Sequence, residues 1–174
     1  MEYFKNMTSS DVIAICAVFI AILSFVSTAW QAWLMRTHNK MSVRPHVEII
    51  GDYMRGNDIS YIISNDGLGP AIISTVELTL NNERYEVKDY DDFKSALMKI
   101  DIDIDKLPHK IRIMEMNTAI GVSKNVLFMG FPKSGTDISM RLDLERKLKK
   151  MDITISYKCI YGKEFKVTLP GHGF

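Results

Sequence analysis

Between Asp11 and Arg36 the sequence reads VIAICAVFIAILSFVSTAWQAWLM, roughly 24 residues without a formal charge, where about 20 suffice to cross the ~30 Å hydrocarbon layer of a bilayer. At ~1.5 Å per residue a helix of this length reaches roughly 36 Å, so both ends can sit among headgroups even when it tilts. The run predicts one transmembrane helix over 12–35, after a leader of 1–11 and before a juxtamembrane linker of 36–45. A cleaved signal peptide is the alternative, since Ser27-Thr28-Ala29 has small residues at the spacing that signal peptidase takes. Against it, Lys5 in the leader is balanced by Glu2 and Asp11, and the apolar run continues through Trp30, Trp33, Leu34 and Met35. A core helix of a soluble protein fits less well, because helices apolar on every face belong to membranes or to the centres of much larger proteins.

The rest of the chain, 46–174, has the size of a single domain with a core of its own. A formal net charge of +1 with 25% charged residues carries no electrostatic signature for nucleic acid. Of the two cysteines, Cys16 lies inside the span and Cys159 near the C-terminus, so no disulfide framework is expected, which suits a cytosolic domain. Flanking charge points the same way: Arg36, Lys40 and Arg44 come after the span with His38 among them, and only Lys5 and the terminal amine precede it. The expected orientation therefore puts the C-terminal domain in the cytoplasm. Trp30, Trp33, Arg36 and Lys40 are the expected membrane-interface residues.

Thr8, Ser9, Ser10 and Asp11 supply capping groups for a helix starting near Ser10. Inside the span Ala14, Ala17, Ala21, Ser24, Thr28 and Gln31 recur at alternating spacings of three and four, a heptad seam of small and polar residues. Spans associate through close backbone approach and polar contacts rather than hydrophobic drive, so the seam is the candidate face for a homo-oligomer.

After Pro45 the pattern changes to short apolar runs between turns. Strands are expected over Val47–Tyr53, Ile59–Asn65, Ala71–Leu80, around Tyr85 and Val87, over Ile111–Met116 and Asn125–Met129, and as a terminal hairpin from Ile153 to Leu169 turning at Gly162. Arg55–Asp58 and Asn81-Asn82 read as turns, and NDGLGPA from Asn65 to Ala71 as a strong breaker. A short helix capped by Asp91 would place Phe93, Ala96, Leu97 and Ile100 on one face. In DISMRLDLERKLKKM the expectation is strand-like backbone and then a helix from about Asp143 to Lys150. About eight short strands without βαβ alternation make the fold mainly β: an antiparallel immunoglobulin-like sandwich with one or two short helices.

Motifs that could carry chemistry each lack an essential residue. Gly67-Leu68-Gly69-Pro70 has Ile72 where a dinucleotide loop needs its third glycine. GFPKSGT has Thr136 where a P-loop lysine belongs. Asp101, Asp103 and Asp105 open a calcium loop, but Lys106 replaces its glycine and Arg112 its glutamate. His38, His46, His109 and His172 have no ligand spacing, and Cys159 lies in a β pattern as a packing residue. Asp89, Asp91 and Asp92 add acidic surface for a basic partner, and LERKLKK is a small basic patch. No catalytic residue, metal or cofactor is assigned, and nothing in the pattern requires an enzyme.

Two segments, YIISNDGLGPAII (Tyr61 to Ile73) and ISYKCIYGKEFKV (Ile155 to Val167), resemble a loose group of small bacterial inner-membrane proteins with one N-terminal span and a cytoplasmic β-sandwich. The shared element is an N-x-G-x-G-P-A motif. Some proteins of this design are similar to membrane effectors of anti-phage defence systems, in which the soluble part senses and the spans perturb the membrane. The motifs that carry the resemblance are architectural and bring no catalytic residues; the seam and the lack of catalytic signatures lead to the expectation of a non-enzymatic module, bilayer-anchored and oligomeric, whose domain binds a protein or small signal. An exported envelope or adhesion module, and an unrecognised membrane-tethered hydrolase, are the alternatives.

Overall fold

The computed structural model describes residues 8–54, 57–134 and 137–171. It divides into two compact units, one ending at Ser42 and the other beginning at Val43.

The first unit is helix α1, Ser9–Ser42. Thr8 starts it: its hydroxyl and its backbone N–H both donate to Asp11 Oδ2, at 2.7 and 2.9 Å, and Asp11 occupies the first turn, at the positive end of the helix dipole. No residue of α1 is buried, and the helix is long and apolar enough to cross a membrane. It runs on through Thr37–Ser42, where the sequence suggested a linker. No proline intervenes before Pro45, and the Thr37 and Ser42 hydroxyls donate to the carbonyls of Trp33 and Asn39 at 3.1 and 3.0 Å.

The second unit contains β1 (Val47–Asp52), β2 (Ile59–Asn65), β3 (Ala71–Leu80), β4 (Glu83–Glu86), α2 (Tyr90–Met98), a 3₁₀ turn (Ile104–Lys106), β5 (Lys110–Ile111), β6 (Ala119–Ile120), β7 (Lys124–Phe131), α3 (Ile138–Leu148), β8 (Met151–Lys158) and β9 (Glu164–Leu169). One antiparallel sheet has the order β1-β2-β7-β5; the other has β4-β3-β8-β9, with β6 paired to the start of β3. This is the Greek-key strand order of an immunoglobulin-like sandwich, mainly β as the alternating apolar pattern requires.

Tyr61, Ile63, Phe128 and Met129 from the first sheet meet Ile73, Val76, Leu78, Ile153 and Ile155 from the second, all essentially buried. A bulge between Ile73 and Thr75 inserts one residue into β3, so Ile73 and Val76 both face inward; this explains the imperfect alternation of that strand. Helix α2 covers one end of the core through Phe93, whose ring meets Phe128 edge-on at 5.8 Å, with Ala96 and Leu97 buried beside it. Asn81 and Asn82 take positive φ (51° and 68°), as the tight turn between β3 and β4 demands.

Three local expectations need correction. Asp89, not Asp91, caps α2: its Oδ1 accepts the Asp92 N–H at 2.8 Å, and Asp91 already lies within the first turn. The strand expected over Ile111–Met116 is only Lys110–Ile111, because the chain then changes sheets. Arg112 N–H still donates to Phe128 O, while Asn117 N–H donates to Ile73 O and Ile73 N–H to Thr118 O. The strand-like backbone expected before Asp143 is helical, and α3 spans Ile138–Leu148. Ile138, Met140 and Leu142 do alternate, but all three are exposed, so no sheet edge receives them; Leu144 and Leu148 at helical spacing anchor the element. The turn at Arg55-Gly56, the end of GFPKSGT at Gly135-Thr136, and His172 fall outside the described residues.

Candidate functional site

On α1, Ala14, Ala17, Ala21, Ser24, Thr28 and Gln31 fall within one sector of about 100° at 3.6 residues per turn, and all are exposed. The Thr28 hydroxyl donates to Ser24 O at 2.8 Å, so it is satisfied within the helix and adds little polarity to that face. Trp30 and Trp33 lie with ring centroids 5.6 Å apart, and Arg36 and Lys40 are exposed in the turns beyond them.

The N-x-G-x-G-P-A motif has a specific task in the domain. Asn65, fully buried at the end of β2, accepts the N–H groups of His46 and Gly67 on Oδ1, both at 3.2 Å. Its Nδ2 donates to the carbonyls of Gly69, Ile120 and Gly121 at 2.9, 3.0 and 3.3 Å. One amide thus joins the segment entering the domain, the loop between β2 and β3, and the start of the loop before β7. The glycines are required by close approach: a Cβ on Gly67 would lie 2.2 Å from His46 N, and one on Gly69 would lie 1.9 Å from Val43 O. Leu68 N–H donates to Arg44 O at 3.0 Å and Asp66 N–H to His46 O at 2.9 Å, completing a clamp on Val43–His46. Sequence reading recognised this stretch as a breaker and missed the clamp; the signal was an asparagine that ends an apolar strand and precedes two glycines in alternate positions.

Register places several loops at this same end of the sandwich. Val47 opposes Asn65, Asn65 opposes Lys124, Ala71 opposes Ile120, and Ile72 opposes Lys158. The entering chain, loop 66–70, loop 121–123 and turn 159–163 are therefore neighbours. Their exposed apolar side chains are Leu68 (72%), Val122 (43%), Ile160 (51%) and Tyr161 (52%). The Arg44 guanidinium and the Lys163 ammonium lie 5.1 and 5.7 Å from the Phe165 ring centroid.

Each carboxylate of the Asp101-Asp103-Asp105 stretch faces a different ammonium. Asp101 pairs with Lys147 at 2.9 Å, Asp103 with Lys106 at 2.8 Å, and Asp105 with Lys94. The Lys147 hydrogen bond holds Asp101 below the usual carboxylate range, and Lys106 does the same for Asp103. Among the described residues no group of three or more His, Cys, Asp or Glu could hold a metal ion. His46 meets Glu48 at 3.1 Å, and His109 stacks on Tyr90 with Nε2 3.1 Å from its hydroxyl. Tyr53 and Tyr61 share a hydroxyl–hydroxyl hydrogen bond, and burial pushes both phenols above their ordinary range. Cys159 is buried as a packing residue and Cys16 is exposed on α1, both as free thiols.

Residues 9–169, which include α1 and nearly all of the sandwich, match the family model described as Domain of unknown function (DUF8453). No curated protein matches the chain.

Proposed function

The chain belongs to the DUF8453 family, and from that premise we propose a membrane-anchored, non-enzymatic binding module that assembles copies of itself through α1. In this reading α1 crosses a bacterial inner membrane once, Trp30, Trp33, Arg36 and Lys40 mark its cytoplasmic boundary, and the sandwich lies in the cytoplasm. The seam of Ala14, Ala17, Ala21, Ser24, Thr28 and Gln31 brings the spans together, and the domain takes a protein or a small signal. The sharpest form is a defence effector whose assembled spans perturb the membrane when the domain is triggered.

The observation that carries the reading is α1 itself: an apolar helix with no buried residue and with Ala14, Ala17, Ala21, Ser24, Thr28 and Gln31 sharing one face. Inclusion of α1 in the family match favours a lasting part of the protein over a removable leader. A non-enzymatic role is supported by how the domain uses its buried polar side chains. Ser64 donates to Asp66, Asn65 builds the clamp, and Thr154 shares a hydrogen bond with Thr168, all structural work.

Membrane potential recorded during forced expression, beside a control lacking 12–35, tests the effector form. Depolarisation by the full chain alone is expected, and equal potentials would reduce the protein to a passive anchor. A reporter pair fused after Phe174, one partner active only in the cytoplasm and the other only outside it, checks the orientation; activity outside would make the domain an exported envelope module.

A further inference from the structure

We propose that the end of the sandwich at which the chain enters docks on an anionic phospholipid surface, the bilayer crossed by α1, through Leu68, Val122, Ile160 and Tyr161. The inference rests on the reading of α1 as a spanning helix and adds a second, peripheral contact between the domain and the same membrane.

Three independent loops place these apolar side chains at one end, and register alone brings them there. That end also receives the chain from α1. Eight residues lead from Met35 to Val43, at most about 12 Å of rise if helical, while the headgroup layer on each side of a bilayer is on the order of 6 Å thick. Chain connectivity therefore keeps this end of the domain within reach of lipid. The loops and their flanks carry Arg44, Lys124, Lys158 and Lys163 against Asp66 and Glu164, an excess of cations suited to an anionic leaflet. Tyr161 has the amphipathic ring that settles at headgroup depth.

The tips are also set in place before any lipid arrives, which lowers the ordering cost of docking. Leu68 stands between two buried glycines packed on the backbone of Val43–His46, and its own N–H is bonded to Arg44 O. Ile160 and Tyr161 ride on a turn closed by Gly162 N–H to Cys159 O at 2.9 Å and Cys159 N–H to Lys163 O at 3.0 Å. Among the other exposed apolar residues of the domain, Ile138, Met140 and Leu142 of α3 belong to the connection between the far end of β7 and the start of β8, away from the entering chain.

The test is hydrogen–deuterium exchange on the full chain in nanodiscs of phosphatidylcholine alone or mixed with phosphatidylglycerol. Amides of 66–69, 121–124 and 160–163 are expected to exchange several-fold more slowly in the phosphatidylglycerol discs, with those of 81–84 at the opposite end unchanged. Lys124→Glu combined with Lys163→Glu, both exposed and outside the core, is expected to return the loops to the phosphatidylcholine rates. Leu68→Ser with Tyr161→Ser is expected to release loop 121–124 as well, although neither substitution touches it. Loop rates identical in the two lipids would overturn the docking surface. Extraction with alkaline carbonate, which strips peripheral proteins from membranes and leaves spanning ones, tests the helix separately: release of the chain would remove the spanning reading and the docking that rests on it, while retention with unchanged loop rates would remove the docking alone.

Discussion

Helix α1 and the sandwich both depend on apolar side chains, yet they use them in opposite ways. In α1 not one residue is buried, whereas in the domain the inward side chains of both sheets, from Val47 to Tyr157, are almost fully enclosed. The sandwich completes its own burial. The helix satisfies only its backbone, through its ladder and the Thr8–Asp11 cap, and leaves every apolar side chain for another medium to cover. In the proposed reading lipid or other spans cover the helix, and partners of the domain meet its surface.

The strongest way to break the contrast is to attack the point where the domain takes hold of the entering chain. Gly69→Val would drive side-chain atoms into the Val43 carbonyl, where even a Cβ would stand 1.9 Å from the oxygen. A loss of more than about 4 kcal/mol, or no folded domain at all, is expected in denaturant titrations, with α1 still helical in detergent by circular dichroism. Asn65→Leu comes next. It removes two acceptor and three donor interactions of one buried amide, and a loss of about 3–5 kcal/mol in the same titration would match the number of backbone groups left without partners. A value below ~1 kcal/mol would mean that water or a loop rearrangement replaces the amide.

The converse substitution acts on the helix alone. Ala21→Leu with Ser24→Leu is expected to shrink the oligomer in detergent or in a membrane association assay, while the unfolding midpoint of the domain stays within about 0.5 kcal/mol of the original. Unchanged assembly would take the seam out of the account. The smallest effect is electrostatic. Asp101 and Asp103 titrate below their unfolded values because Lys147 and Lys106 bind the charged forms, so their contribution is present above the ordinary carboxylate pKa of about 4 and lost as pH falls through the lowered values. Melting at pH 5 and pH 3 should show a slight drop in Tm that Asp101→Asn reduces; an equal drop in the variant would place the acid sensitivity elsewhere. Asp101 is exposed and Asp103 only half-buried, which keeps the effect small.

Much of the architecture was legible because it is written in periodicity. The apolar run announced α1, alternation announced β1, β8 and β9, and Asn81-Asn82 announced its turn, since each depends on side chains within a few residues of one another. Where sequence reading failed, the deciding contact came from far along the chain. Ile138, Met140 and Leu142 carry a strand pattern, but β-structure needs a free edge and none is offered to them. Ile111–Met116 carries one too, but it leaves the first sheet after the Arg112 N–H bond to Phe128 O, and the residues that follow it, Asn117 and Thr118, bond Ile73 on the other. The candidate sites divide in the same way: the seam is a local spacing, whereas the clamp around Asn65 and the gathering of Leu68, Val122, Ile160 and Tyr161 depend on strand register.

By itself, then, the sequence determined a helix of membrane-spanning length, a mainly β domain behind it, and small residues aligned along one helical face, because short-range spacing decides all three. Only the tertiary structure decided what N-x-G-x-G-P-A is for. Two glycines without side chains and one buried amide acquire meaning when the backbone of Val43–His46 lies against them, and that approach is made by strand pairing across the sandwich.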